Sequence, residues 1–190
     1  MKNWNLPILL TWLRVALIPI FTLLFFLPPH FLGHWVNYAA AIIFALAALT
    51  DWFDGFLARR WHQTSDFGAF LDPVADKLIV AIALILLVYL ARTSPLAAMI
   101  IIGRELTISA LREWMAQIGK RNSVAVAWIG KFKTAAQMIA IFLLLIYEIP
   151  HLSLNLSLIG NILMTIACVL TIWSMLHYLW CAHQVLQAQK

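Results

Sequence analysis

Six long apolar segments, separated by short polar connections, constrain the fold of this chain more than any other feature of its sequence. Each has about 20 residues, the length that crosses the hydrocarbon core of a bilayer as a helix. They span residues 6–27, 36–60, 68–91, 95–118, 128–148 and 155–182. Backbone polar groups in hydrocarbon must hydrogen-bond within their own segment. The sequence therefore predicts an all-α integral membrane protein with six transmembrane helices.

The composition agrees with a membrane location. Of the 190 residues, 64% are hydrophobic and 11% are charged, and the mean hydropathy is +0.90. A soluble domain is closer to half apolar and a quarter charged. Because the chain has no internal repeat, low-complexity tract or linker, we expect one domain over residues 1–190. The cysteines, Cys168 and Cys181, have the spacing of neither a zinc site nor a disulfide framework.

Basic residues are concentrated on one predicted side of the membrane. That side carries Lys2, Arg59, Arg60, Lys77, Lys120, Arg121, Lys131, Lys133 and Lys190. The other side has little besides Arg92 and Glu148. The positive-inside rule then predicts that both termini are cytoplasmic. The net charge of +5 indicates anionic partners or an anionic leaflet, but basic residues spread over helix ends are not typical of nucleic-acid binding.

Acidic residues are concentrated in a single stretch. Five of the eight lie within residues 51–76, namely Asp51, Asp54, Asp66, Asp72 and Asp76. The first two are three positions apart and the last two are four apart, so each of these pairs shares one helical face. Asp66 falls outside this spacing, and we expect it to cap a helix or to face solvent.

The short connection after residue 60 predicts that the second and third helices are antiparallel neighbours. Asp51 and Asp54 can then face Asp72 and Asp76, which gives a cluster of hard oxygen ligands at the cytoplasmic end. Such ligands suit Mg²⁺, Mn²⁺ or Ca²⁺ rather than zinc. We therefore expect two divalent cations that hold a pyrophosphate.

The residues between the carboxylates leave room for a ligand. Gly55, Ala58 and Gly68 remove bulk, so a ligand or a neighbouring backbone can approach closely. Arg59 offers a planar fork for phosphate oxygens. The alternative is that the aspartates only form interfacial salt bridges with Arg59 and Lys77. That explanation suits one carboxylate and does not account for four in this pattern.

The whole pattern, D-x2-D-G-x2-A-R-x8-G-x3-D-x3-D over residues 51–76, resembles the signature of the CDP-alcohol phosphotransferase family. Every fixed position is met. The resemblance implies six transmembrane helices, a homodimer, and two divalent cations, Mg²⁺ or Mn²⁺. It also implies transfer of a phosphoalcohol from a CDP-linked donor with release of CMP.

The same resemblance assigns roles to individual residues. It implies that Asp51, Asp54 and Asp72 hold one metal, and that Asp51, Asp72 and Asp76 hold the other. Asp76 is also implied to be the general base, which fits an acceptor hydroxyl that must lose its proton as it attacks phosphorus. The implied CDP site is lined by Gly55, Ala58, Arg59 and Gly68.

The rest of the chain resembles one bacterial branch of this family. The similar stretches lie at residues 5–14, 103–113 and 130–134. The reaction implied by this branch transfers the phosphatidyl group of CDP-diacylglycerol to sn-glycerol 3-phosphate, which gives phosphatidylglycerol phosphate and CMP. The implied location is the bacterial inner membrane, with the active site on the cytoplasmic side.

An acceptor that is itself a phosphate requires cations near the metal site, and four basic residues are candidates. Lys131 and Lys133 begin the fifth helix, where the helix dipole also favours anions. Arg104 and Arg112 lie inside an apolar segment, so each must face a partner or a wet cavity. Alternatively, the arginines pair with neighbouring glutamates and the lysines are interfacial anchors. Asn5 either caps the first helix or contacts the donor's pyrophosphate.

Other functions remain open on the sequence. Serine or inositol phosphate could be the acceptor in the same chemistry, although serine has no phosphate to explain the basic residues. A membrane prenyltransferase also binds Mg²⁺-diphosphate through aspartates, but its acidic motifs are expected in two distant places on a longer chain. A cation transporter should scatter its acidic residues along a pathway, and the clustering of residues 51–76 argues against it.

Overall fold

The structure is a computed structural model that describes residues 6–27, 35–61, 66–118, 128–149 and 154–187. For residues 6–11, 51–61, 66–70, 72, 128–131, 185 and 186 it describes the backbone alone. The described residues form α1 Leu6–Leu24, α2 Trp35–Trp61, α3 Asp66–Tyr89, α4 Pro95–Gln117, α5 Trp128–Ile146 and α6 Leu156–Gln187. No strand occurs in these ranges. The all-α prediction is confirmed, and each helix corresponds to one of the predicted apolar segments.

Membrane-spanning character is distributed unevenly over these helices. Within the described ranges, one helical segment is long and apolar enough to cross a bilayer, Leu156–Gln184 of α6. Shorter apolar helical stretches are Trp12–Leu24, Trp35–Thr50 and Phe132–Ile146. Helix α4 is continuous, but its apolar sequence is interrupted by charged residues such as Arg104 and Glu105. By length and composition, one described helix could thus cross a membrane, and the six predicted spans stay a prediction.

The most extensive helix packing among the described residues is between α5 and α6. Gly160 of α6 lies against α5 so tightly that a Cβ at this position would be 2.7 Å from Cγ of Leu144. Small residues at a helix contact let two backbones approach, which is a typical way to associate helices in lipid. The core around this contact contains fully buried side chains from four other elements, including Phe21, Phe44, Leu84 and Ile101.

The connection between α3 and α4 is closed by local hydrogen bonds. At the end of α3, Ala91 has a φ of 54°, the amide of Arg92 donates to the Leu87 carbonyl at 2.8 Å, and the amide of Ala91 donates to that of Val88. This pattern is a Schellman motif with alanine at the left-handed position. The Ser94 hydroxyl then accepts from the Leu96 amide at 3.2 Å and caps α4.

Arg92 joins three elements at this end of the bundle. Its Nη1 donates to the carbonyls of Leu144 and Leu145 in the last turn of α5, at 3.2 and 2.8 Å. Its Nη2 donates to Oδ1 of Asn37 at 2.8 Å, near the start of α2. Asn161 of α6 donates to the Arg92 carbonyl at 3.1 Å. The guanidinium therefore satisfies carbonyls that the end of α5 leaves without intrahelical partners.

Tyr147 completes this arrangement, which we call the Arg92 cluster (Asn37, Arg92, Tyr147 and Asn161). Tyr147 follows α5 and has a φ of 66°, a conformation that is costly for a bulky residue. The Arg92 guanidinium carbon lies 4.6 Å from the Tyr147 ring centroid, within cation–π distance. Tyr147 thus lies next to Arg92, which contacts the Tyr147 ring and also hydrogen-bonds the last carbonyls of α5.

Candidate active site

The opposite end of the bundle contains a polar opening, which we call the charged cavity. It has a volume of about 200 Å³, room for several water molecules or one small polar ligand. Its lining comes from α3, α4, α5 and α6: Asp76, Lys77, Val80, Arg104, Glu105, Arg112, Thr134, Gln137, Met138 and Tyr178. The early part of α3 and the late part of α4 thus meet at one place.

A single carboxylate oxygen anchors two cations beside this cavity. Oε1 of Glu105 is 2.7 Å from Nη1 of Arg104 and 2.6 Å from Nζ of Lys133. The Lys133 side chain is 1% exposed and that of Arg104 is 9% exposed. Pairing of Arg104 with Glu105, which the sequence left open, is therefore present. Plain interfacial anchoring does not describe Lys133, since an anchoring lysine keeps its ammonium group in water.

Lys77 and Ser109 extend this contact to α3. Nζ of Lys77 donates to Oγ of Ser109 at 2.5 Å, and that hydroxyl donates to the backbone carbonyl of Glu105. Lys77 was an alternative partner for the motif aspartates; among the described contacts it donates to a hydroxyl on α4, and that alternative stays open. Basic residues outnumber acidic ones among the described charged side chains here. The field in the cavity therefore favours an anionic ligand.

Arg112 is held differently from Arg104. Its guanidinium carbon lies 5.6 Å from the ring centroid of Tyr178 on α6, within the range of a cation–π contact. Tyr178 is 3% exposed and packs in a small core with Ile108 and Met115 of α4. Arg112 itself is exposed. Its side chain is thus placed by an aromatic platform at the cavity rim rather than buried in an ion pair.

Asp76 is the motif carboxylate whose side chain the structure describes. It is half-buried and lines the charged cavity together with Arg104 and Arg112. The structure thus brings the predicted general base and two of the predicted phosphate-binding residues to one opening. Lys133 is not itself in the lining, but it is hydrogen-bonded to Glu105, which is.

The other predicted site residues fall outside the described side chains. The backbones of Asp51, Asp54, Gly55, Ala58 and Arg59 lie in the last part of α2, those of Gly68 and Asp72 in the first part of α3, and that of Lys131 in α5. Asn5 lies outside the described residues. The predicted roles of these residues stay predictions.

The predicted metal site can be tested against the described part of the chain only through Asp76. Among described side chains, no group of three or more His, Cys, Asp or Glu residues could hold a metal ion. Three of the four predicted ligands are outside that set. Helices α2 and α3 are in contact, and all four candidates are carboxylates, the donors that Mg²⁺ and Mn²⁺ prefer; the metal site stays a prediction.

Two polar residues of the cavity were missed by the sequence reasoning. Gln137 of α5 is 4% exposed, and Tyr178 lies in the last third of α6. Gln137 could have been found from spacing, because it lies four positions after Lys133 and therefore on the same helical face. Tyr178 gave no such signal, since an aromatic residue in an apolar helix usually packs in a core.

Two buried polar atoms of the cavity lack hydrogen-bond partners among the described residues. They are Nε of Arg104, a donor, and Oε1 of Gln137, an acceptor. Buried polar groups in native proteins are nearly always partnered, and exceptions often mark places where a ligand or water binds. Two residues that line the cavity, Arg104 and Gln137, thus each have one buried polar atom without a described partner.

Known proteins resemble this chain over most of its length. The sequence profile described as CDP-alcohol phosphatidyltransferase matches residues 4–173. The chain belongs to this family. Relatives in Shigella flexneri serotype 5b, Shigella boydii serotype 4 and Escherichia coli K12 are each 55% identical over 179 residues, which cover 93% of this chain and 94% of the relative. All three are named CDP-diacylglycerol–glycerol-3-phosphate 3-phosphatidyltransferase.

The resemblance seen in the motif of residues 51–76 is thus confirmed at family level. The matched range of the CDP-alcohol phosphatidyltransferase family includes that motif and the cavity residues of α3, α4 and α5, and it ends before Tyr178. The alignment with the relatives covers nearly the whole chain.

Proposed function

We propose that this protein transfers the phosphatidyl group of CDP-diacylglycerol to sn-glycerol 3-phosphate, giving phosphatidylglycerol phosphate and CMP. The observation that carries the proposal is the shared opening of Asp76, Arg104 and Arg112 into one cavity of about 200 Å³. A proton acceptor and phosphate-binding cations are what a small phosphorylated alcohol requires. The names of relatives that are 55% identical support the same pair of substrates.

In the proposed reaction, an acceptor hydroxyl attacks the β-phosphorus of the donor. A new P–O bond forms, the bond from this phosphorus to the bridging oxygen breaks, and CMP leaves with that electron pair. The hydroxyl proton passes to the carboxylate of Asp76. Because CMP is a good leaving group, most of the rate enhancement comes from positioning and from neutralisation of charge.

The acceptor's phosphate is proposed to bind the basic residues of α4 and α5. Arg104 has an unpartnered Nε among the described atoms, and Arg112 presents its guanidinium at the rim. Lys133 is already hydrogen-bonded to Glu105, so it contributes charge and holds that carboxylate in place. Lys131 is proposed to join them from the first turn of α5. Serine would leave these cations without a phosphate to bind.

Two divalent cations, Mg²⁺ or Mn²⁺, are proposed to be held by Asp51, Asp54, Asp72 and Asp76. When bound, they would neutralise the donor's pyrophosphate and stabilise charge on the oxygens of the displacement. Gly55, Ala58, Arg59 and Gly68 are proposed to line the CDP site, with Asn5 near the pyrophosphate.

The proposed setting is the bacterial inner membrane, crossed by six helices of a single domain in a homodimer, with both termini in the cytoplasm. The basic residues at the cavity end of the bundle support this orientation. The charged cavity would then take its acceptor from the cytoplasm, while the donor's acyl chains remain in the bilayer.

The proposal is tested by CMP release from purified protein with CDP-diacylglycerol, Mg²⁺ and one acceptor at a time. We expect release with sn-glycerol 3-phosphate, and little with serine or inositol phosphate. Omission of Mg²⁺ with a chelator should stop release and its return should restore it. Release with serine but not with sn-glycerol 3-phosphate would overturn the acceptor assignment. Release that is indifferent to chelation would overturn the metal assignment.

A further inference from the structure

Gln137 is a buried polar residue whose presence the fold does not explain. Its side chain is 4% exposed and borders the charged cavity, and Oε1 has no hydrogen-bond partner among the described residues. The buried face of α5 continues from it with Ala140, Ile141 and Leu144, all apolar. An apolar side chain of the same length would pack at this position without leaving an amide oxygen unsatisfied. The fold thus leaves this buried oxygen without a described partner in a residue that lines the cavity.

The chemistry of the cavity limits which ligand group this oxygen can bind. Its other described polar groups are mainly cations, which bind phosphate oxygens, and carboxylates. Glu105 is already engaged with Arg104 and Lys133. A neutral amide oxygen accepts hydrogen bonds and donates none, so it does not suit a phosphate. Its natural complement is a hydroxyl group that keeps its proton.

The proposed acceptor carries such a hydroxyl. sn-Glycerol 3-phosphate has a primary hydroxyl, whose proton passes to Asp76 during attack, and a secondary hydroxyl, which does not react. We propose that Oε1 of Gln137 accepts a hydrogen bond from the secondary hydroxyl and so determines which alcohol the enzyme selects. This inference rests on the proposed function. It makes Gln137 a specificity-determining residue for a phosphorylated polyol, in addition to the cations that bind the phosphate.

The test uses an acceptor that lacks only the secondary hydroxyl, 3-hydroxypropyl phosphate. For the wild-type protein, we expect kcat/KM to be about tenfold higher with sn-glycerol 3-phosphate than with this analogue, the size of one neutral hydrogen bond. Gln137→Met has nearly the same length and no acceptor oxygen. It should lose about tenfold on sn-glycerol 3-phosphate and little on the analogue, so the preference disappears.

Matched variants separate recognition from structure. Gln117→Met makes the same change at an exposed position at the end of α4 and should leave both kcat/KM values unchanged. Gln137→Glu retains an acceptor oxygen and should keep the preference for sn-glycerol 3-phosphate, even if its overall rate falls. The KM for CDP-diacylglycerol should stay unchanged in Gln137→Met.

Several outcomes would overturn the inference. Equal losses on both acceptors in Gln137→Met would show that Gln137 supports the cavity rather than the hydroxyl. A wild-type protein that uses the two acceptors equally well would also overturn it, and this measurement requires no variant to fold. Failure of the proposed function is distinguishable, because the wild-type protein would then release no CMP with sn-glycerol 3-phosphate.

Discussion

Each end of the bundle has an arginine that contacts neighbouring residues, and the two arginines differ in whether all their polar atoms have described partners. At one end, Arg92 donates to two carbonyls of α5 and to Asn37, and its guanidinium stacks on Tyr147. At the other end, Arg104 contacts Glu105 through Nη1 but has no described partner for Nε. The first arginine completes hydrogen bonds that the fold leaves open. The second keeps one open for another molecule.

Arginines thus serve two purposes in this protein: Arg92 stabilises helix ends, and Arg104 keeps a polar atom without a described partner at the cavity. Arg92 is half-buried and has partners on α2 and α5, so it stabilises helix ends and has little further to offer a ligand. A buried charge that is partly partnered costs stability and retains binding capacity. Variants at the Arg92 cluster should therefore change stability alone, and variants at the charged cavity should change kinetics.

The largest effect is expected from Asp76→Asn. Asparagine cannot accept the acceptor's proton as a carboxylate does, so kcat should fall by about 10²- to 10⁴-fold at every pH, the usual contribution of a general base. CMP release from CDP-diacylglycerol and sn-glycerol 3-phosphate measures it. Asp66→Asn, which changes an aspartate outside the motif spacing, is the matched control and should stay near wild type. Near-normal turnover in Asp76→Asn would remove Asp76 from the chemistry.

The next largest effect is expected from Arg104→Gln. Loss of a charge-assisted contact to phosphate is worth about 1.5–3 kcal/mol, so the KM for sn-glycerol 3-phosphate should rise about 10- to 100-fold. The KM for CDP-diacylglycerol should change little. Initial rates with each substrate varied in turn measure the two constants. A selective rise in the KM of the donor would instead assign Arg104 to the CDP site.

Arg92→Gln should have the opposite character. It removes contacts to α2 and α5 and leaves the last turn of α5 with unpaired carbonyls, so the free energy of unfolding should fall by about 2 kcal/mol. Thermal unfolding in detergent measures the loss. At a temperature where the variant is folded, both KM values should match those of the wild type. A rise in the acceptor's KM would contradict the division between the two ends.

The smallest effect concerns the aromatic platform under Arg112. Tyr178→Leu removes a cation–π contact worth about 0.5–1 kcal/mol, so the acceptor's KM should rise about two- to fivefold. Tyr178→Phe keeps the ring and should restore nearly normal kinetics, which separates the ring's role from that of the hydroxyl. Equal kinetic losses in both variants would indicate that the hydroxyl, not the ring face, is what matters.

Much of the fold could be predicted because helix length and apolar composition are local properties. The segment predicted at residues 36–60 corresponds to the helix Trp35–Trp61, and the segment predicted at residues 128–148 corresponds to the helix Trp128–Ile146. Some boundaries lie a few residues from the predicted ones where a local turn ends the helix. Helix α3 ends at Tyr89 rather than residue 91, because Ala91 adopts a left-handed turn that a sequence normally indicates with glycine.

The candidate site was predictable in its charged residues and not in its contacts. Asp76 follows from a spaced motif, and Arg104 follows from the cost of an arginine in an apolar helix. That Glu105 binds both Arg104 and Lys133 depends on how α4 and α5 meet, which no local pattern encodes. Gln137 was missed because an amide carries no charge; its spacing of four from Lys133 was a weak signal, and burial without a described partner is what distinguishes it.

The shared oxygen of Glu105 has an evolutionary consequence. Because Arg104 and Lys133 both rest on one atom, replacement of Glu105 would leave two buried cations facing each other, and replacement of either cation would unbalance the carboxylate. These three positions are therefore epistatic and cannot drift singly without a fitness cost. Divergence toward a new acceptor would proceed first through Gln137 or Arg112, each of which can change without breaking the ion pairs to Glu105.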